Sequence, residues 1–238
     1  WADISTNRKC TLNHSGNITG TAQIIVDSKT TFSGNGTFAS GITFRLTNLS
    51  TFSNANFSFP NTVFIEGGAD LKVENTSIIE FEEFYSKHPS SFLQNYGHVV
   101  FNSSNIFDNH SSSIYSSSQV FLNFSTSTVD YAATSASPGD FPIPNLTQPS
   151  TVGYQNLTIS GTANCNGDLV IKGKWTNSGT FTSSNANNSV TFSGSSPQEF
   201  DGGTNNLKRL ILNNASGLTI SASSNIEIEE YIESQSGI

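Results

Sequence analysis

The chain has 238 residues, only 12% of them charged, and 18 acidic against 10 basic side chains leave a formal net charge of −8. So few cations cannot neutralise a phosphate backbone, which excludes nucleic acid as an expected partner and disfavours an anionic membrane surface. The length suffices to bury a core, and 18 Phe residues supply material for one.

No apolar run approaches the roughly 20 residues needed to cross a bilayer, so membrane insertion is not expected. The chain begins at Trp1, contains no Met and shows no basic-then-apolar leader. It reads as a processed secreted chain or a piece of a longer one, placed outside the cell.

From the N-terminus, four blocks follow one another: Asn17-Ile-Thr-Gly-Thr-Ala22, Ile24-Ile-Val26, Ser33-Gly-Asn-Gly-Thr-Phe38 and Ile42-Thr-Phe44. The same order returns as Asn156-Leu-Thr-Ile-Ser-Gly-Thr-Ala163, Leu169-Val-Ile171, Asn177-Ser-Gly-Thr-Phe181 and Val190-Thr-Phe192. A partial third copy begins at Leu218-Thr-Ile-Ser221, identical to Leu157-Thr-Ile-Ser160. It continues as Ile226-Glu-Ile-Glu229 and Tyr231-Ile232, where the earlier copy has Leu169-Val-Ile-Lys172 and Trp175. The offsets, 61 and 57 residues, set a period a little under sixty, with several strands per repeat.

Alternation of apolar and polar residues marks strands at Thr43–Leu46, Asp70–Glu74, Glu80–Glu82 and Ile226–Glu229. Turns are predicted at Gly67-Gly68, Gly202-Gly203, Asn35-Gly36, Asn166-Gly167, Asn187-Asn188 and Asn213-Asn214. No stretch of twelve or more residues has helical periodicity with a cap and a stop. The chain is therefore all-β. The repeat favours a parallel β-solenoid with short strands and inward ladders of Phe, Ile, Val and Leu, with a β-sandwich as the alternative. Phe32, Phe38 and Phe44, six residues apart, lend weak support. Four of the seven prolines, Pro138, Pro142, Pro144 and Pro149, fall within residues 132–150. That segment is read as a loop or linker between an N-terminal solenoid region, 1–131, and C-terminal repeats, 151–238.

No residue pattern marks a catalytic, cofactor-binding or metal site. Glu80 and Glu82 would share one strand face about 7 Å apart, with Glu83 adjoining; the expected role is a solvated face that discourages edge pairing. A polysaccharide lyase needs clustered acids and a basic residue, but Arg8, Arg45 and Arg209 are far apart and the aspartates are scattered. His14, His88, His98 and His110 show no ligand spacing. Ser193-Gly-Ser-Ser-Pro197 reads as a turn rather than a nucleophile elbow. Asp201-Gly202 opens no calcium loop. Thr180 and Thr182 form a Thr-x-Thr pair that does not repeat in register. Trp1, Trp175, Tyr96, Tyr115, Tyr131 and Tyr231 are the candidate sugar platforms, Trp175 being better placed for packing. Cys10 and Cys165 are expected to be buried and unpaired, because cysteines several coils apart exceed the reach of a disulfide. Thirteen Asn-x-Ser/Thr triplets, from Asn13 to Asn214, follow from an Asn-, Ser- and Thr-rich composition.

The blocks LTIS from Leu157, GDLVIKGKWTNSGTF from Gly167, VTFSGSSPQEFDGG from Val190, LKRLILNNASGLTIS from Leu207 and IEIEEYI from Ile226 resemble the repeat regions of large Bacteroidetes-type surface proteins. The resemblance covers about a third of the chain well and residues 17–44 more loosely; residues 75–150 depart from it. It implies type IX secretion cargo serving adhesion, gliding or filament roles. The expectation is a secreted structural or adhesive module, not an enzyme, whose partners are copies of itself or filament neighbours. A polysaccharide-binding or polysaccharide-cleaving solenoid, with a surface polysaccharide as partner, is the alternative.

Overall fold

A computed structural model describes residues 9–103, 106–107, 116–134, 141–148 and 151–235. It is a parallel β-solenoid of about ten turns, so the sandwich alternative is set aside. The coils pass through three ribbons, and most coils lay a strand in each, although the third ribbon has none between 83–86 and 162–165 among the described residues. The first stacks residues 29–32, 50–52, 71–73, 93–95 and 121–123, and farther along 169–171, 190–192, 210–212 and 232–234. The second runs from 35–37 through 56–59, 78–81, 98–101, 128–131, 156–159, 175–177 and 198–201 to 218–220. The third stacks 41–46, 63–65 and 83–86, then 162–165, 180–183, 204–206 and 225–227.

The strands form where the sequence alternates. In Gly41–Leu46, Thr128–Tyr131, Asn156–Ile159, Thr162–Cys165 and Lys174–Asn177, every second residue is buried and its neighbours face outward. One departure is Asn35-Gly36, which lies inside the strand Lys29–Phe38 rather than in a turn. Another is the single helical turn Ser117–Val120.

The period differs from the sequence reading. Leu157 pairs with Trp175, Trp175 with Phe200 and Phe200 with Ile220, steps of 18, 25 and 20 residues. One coil therefore takes about twenty residues, and an offset near sixty spans three coils. The identical tetrapeptides fall two residues out of register, because Leu218 pairs with Gln198 while Leu157 shares its column with Ile220. Ile226 lies beside Asn205 on the third ribbon, whereas Leu169 shares its first-ribbon column with Val190, Leu210 and Ile232. Trp175 thus corresponds to Ile220, not to Tyr231 or Ile232. All three ribbons use the same short alternating strand, so a match by letters can slip from one ribbon to the next.

Residues 132–150 do not interrupt the second ribbon: Thr128–Tyr131 pairs directly with Asn156–Ile159. The described part of the segment folds against the stack. Phe141 is buried, with its ring 5.2 Å from Tyr131 and 5.9 Å from Phe181. The Asn145 amide donates to the Phe121 carbonyl at 2.7 Å, and the Tyr154 hydroxyl donates to the Pro142 carbonyl. Pro138, Gly139, Asp140 and Pro149 lie outside the described residues.

The expected ladders fill the interior. Phe59, Phe81 and Phe101 occupy successive rungs of one column, with ring centroids 5.7 and 6.3 Å apart, and Phe38 stacks on Phe59 at 4.9 Å. Phe32 and Phe44 are buried on the two other ribbons, so a six-residue spacing corresponds to one strand and a corner. Trp175 and Phe181 are fully buried and meet edge to face at 4.9 Å. Corners need either a satisfied polar group or no side chain at all. Asn95 donates to Asn123 at 2.9 Å and Asn177 to Asn205 at 2.7 Å, all four buried, so their amides replace the water that these bends lose. At Gly179 a Cβ would fall 1.8 Å from the Gly161 carbonyl oxygen in the preceding coil, which requires glycine there.

Truncating a central rung should be costly. Phe81→Ala is expected to lower stability by about 3–5 kcal/mol. Phe64→Ala, on the outward face, is expected to cost about 1 kcal/mol. Denaturant unfolding of the two variants measures the contrast, and equal losses would contradict the assignment of inward and outward positions.

Candidate functional site

Charged side chains on the surface pair at the spacing of the coil. Arg45 meets Glu66 at 2.5 Å, and Lys87 reaches the same carboxylate at 3.3 Å from the next coil. Lys208 meets Glu229 at 2.5 Å and Arg209 meets Glu230 at 2.6 Å. Lys174 lies 2.9 Å from Glu199 and 3.4 Å from Asp201. Arg45, Glu66 and Lys87 are each 21 residues apart, a regular signal of the true period that the sequence reading missed. Arg8 lies outside the described residues.

The acidic run divides at a corner instead of sharing a strand face. Burial falls on Ile79 and Phe81, then on Phe84 and Ser86, because the alternation slips where the chain passes from the second ribbon to the third. Glu80 therefore faces outward on the second ribbon beside Ser58 and Val100. Glu83 faces outward on the third, accepting a hydrogen bond from the Thr62 hydroxyl. Glu82 is exposed at the bend between them.

His98 sits on the same outer face, near Glu80 and Asp130. Burial holds its pKa below the ordinary imidazole value, although both carboxylates oppose the shift. Its Nε2 is buried without a hydrogen-bond partner. Asp130 accepts from the Ser160 hydroxyl at 2.8 Å. His14 lies in the strand Lys9–Ile18 and His88 beyond Ser86, so neither joins His98; His110 is outside the described residues. Among the described residues, no three His, Cys, Asp or Glu side chains form a group able to hold a metal ion.

The bend Ser193–Pro197 lines a cleft of about 510 Å³ with Gln155, Lys172, Lys174 and Glu199. Gln198 pins this bend. Its Oε1 accepts from the Gly194 amide at 2.8 Å, while its Nε2 donates to the Ile171 and Gly173 carbonyls at 3.0 Å. Lys172 donates to the Ser193 carbonyl at 3.1 Å. The Ser193 hydroxyl is buried and unpaired, with no imidazole among the lining residues to activate it. Gly202 and Gly203, following Asp201, take positive φ, as a turn there requires.

Three of the four candidate platforms among the described residues are occupied by the protein itself. Trp175 and Tyr131 are buried. Tyr96 stacks on Phe124 at 4.0 Å and carries the Lys72 ammonium 5.1 Å from its ring. Tyr231 is exposed beside Arg209; Trp1 and Tyr115 lie outside the described residues. Sequence reasoning missed the stacked surface pair Phe64 and Tyr85, with Lys87 over Phe64 at 3.8 Å. The Thr-x-Thr pair does not repeat in register: Thr180 stacks between Thr162 and Thr204, but Thr182 lies between Asn164 and Asn206.

The two cysteines are free, but only Cys165 is buried. Cys10 pairs with Thr30 in the first described strand, where no described residue covers its other side. Burial pushes the Cys165 thiol up to about 12.

Comparison with known proteins returned no matching family model, no matching curated protein and no matching solved structure.

Two measurements test these assignments. Iodoacetamide at pH 8 should alkylate one thiol per native chain, at Cys10, and two after unfolding, as read by peptide mass spectrometry; rapid native labelling of Cys165 would contradict its burial. The Arg45 hydrogen bond chiefly, with Lys87, holds Glu66 below the usual carboxylate range. A depressed pKa stabilises the fold above the unfolded value, about 4.3, and that stability disappears as pH falls through the folded value. Glu66→Gln should therefore flatten this part of the acid limb of stability while leaving the neutral-to-alkaline slope unchanged.

Proposed function

We propose that the chain is a secreted structural or adhesive module of the cell surface, forming a stretch of an extracellular filament and acting without catalysis. The observation that carries this reading is the second ribbon, whose parallel pairing runs unbroken from Asn35 to Ile220 over one contiguous core. Its rigidity comes from backbone pairing and stacked aromatic rungs, which suits a spacer or scaffold and needs no reacting group. Copies of the chain, or neighbouring filament components, are the proposed partners.

Negative-stain imaging and small-angle scattering of the purified chain test both halves of the reading. The expected particle is a rod extending about 50 Å along the axis, from ten coils of about 4.8 Å each, that associates further as concentration rises. A rod that stays monomeric at every concentration removes the filament role. A compact particle removes the scaffold role as well.

A further inference from the structure

A shallow groove of about 430 Å³ runs along the outer face of the second ribbon near the N-terminal end of the described stack, lined by Asn17, Asn35, Thr37, Asn56, Ser58 and Glu80. The register explains its form. Asn35 and Asn56 occupy neighbouring rungs of one outward column, while Thr37, Ser58 and Glu80 occupy successive rungs of the next. Rungs rise by about 4.8 Å and the two columns stand about 7 Å apart. Between them lies Gly36, where a side chain would strike the Gly16 carbonyl oxygen at 1.8 Å, so glycine lets the two coils pair closely there.

Some outward polar groups elsewhere on the stack bond to one another across coils: Thr62 with Glu83, Ser160 with Asp130, and Ser189 with Asp168. None of the six groove side chains takes part in a side-chain hydrogen bond within the described residues. Three amides, two hydroxyls and one carboxylate thus stand together with no hydrogen bond to another side chain of the described residues. Glu80 is the one charge among them, and the chain carries −8 overall, which disfavours an anionic ligand.

We propose that this groove binds an extended, uncharged polysaccharide lying along the solenoid axis, with sugar hydroxyls exchanging hydrogen bonds with Asn35, Asn56, Thr37 and Ser58, and Glu80 accepting from one hydroxyl at the end of the strip. The proposal rests on the adhesive part of the reading above and is independent of filament formation. Affinity is modest, because the groove is shallow and each hydrogen bond replaces one to water.

The test uses the 238-residue chain made in a bacterial host without N-glycosylation. Affinity electrophoresis and calorimetry are run against laminarin, xyloglucan, cellohexaose and chitohexaose, with polygalacturonate as the anionic comparison. At least one neutral glycan should bind, and N35A/N56A/S58A should weaken it about fivefold or more. All three positions face outward and lack partners, so the variant should keep its melting temperature. If it does not, the single substitution Asn56→Arg fills the groove and should abolish binding in a chain that still melts normally. The proposal is overturned if no neutral glycan binds, if the folded variants bind as tightly as the parent, or if polygalacturonate binds best. A rod that assembles but binds no glycan removes the groove assignment and leaves the filament role standing.

Discussion

Everything in this molecule depends on parallel backbone pairing held in register from coil to coil. Parallel ladders must be satisfied on both sides of each strand, and a residue slipped by one position would turn its side chain from the core to the solvent. The register therefore dictates that like lies over like. Phe59, Phe81 and Phe101 form one inward column, and Leu157, Trp175 and Phe200 belong to another. Buried amides follow the same rule where Asn95 lies over Asn123, whereas Asn177 reaches across a corner to Asn205, which stacks on Phe181. Unpaired, each would cost more than it contributes; paired, each supplies the donor that its neighbour accepts.

The fold class was legible because strand alternation is a local property. Gly41–Leu46 and Asn156–Ile159 announce themselves in a few residues, and no helical run competes with them. The period was not legible from identical letters, since any inward-outward strand resembles another on a different ribbon. Leu157-Thr-Ile-Ser160 and Leu218-Thr-Ile-Ser221 are the same word two residues out of register. Charge was the better guide: Arg45, Glu66 and Lys87 mark three successive coils, because opposite charges gain from adjacency only when the coil length brings them together. Corners were the hardest to foresee. The shift of alternation between Phe81 and Phe84 separates Glu80 from Glu83, and no pattern in the local sequence requires it. The outward strip from Asn35 to Glu80 was hidden for the same reason, being assembled from residues about twenty apart.

Some of the Asn-x-Ser/Thr triplets have a structural cause. In a strand, residues two apart face the same way, so an outward Asn followed two positions later by an outward Ser or Thr is the natural spelling of a solvated rung. Asn35 with Thr37, Asn56 with Ser58 and Asn156 with Thr158 are three examples. Asn123, Asn145 and Asn214 occur in the same triplet yet are buried, where their amides serve the fold.

Because the hydrogen bonds joining successive coils lie along the stacking direction, a pull on the two ends loads them in sequence rather than all together. A coil that peels away gives up about 4.8 Å of height and releases about twenty residues, roughly 70 Å of extended chain. The stack is thus short and stiff under small loads and long and yielding under large ones. Each released coil leaves behind a fresh strand edge onto which it can fold back.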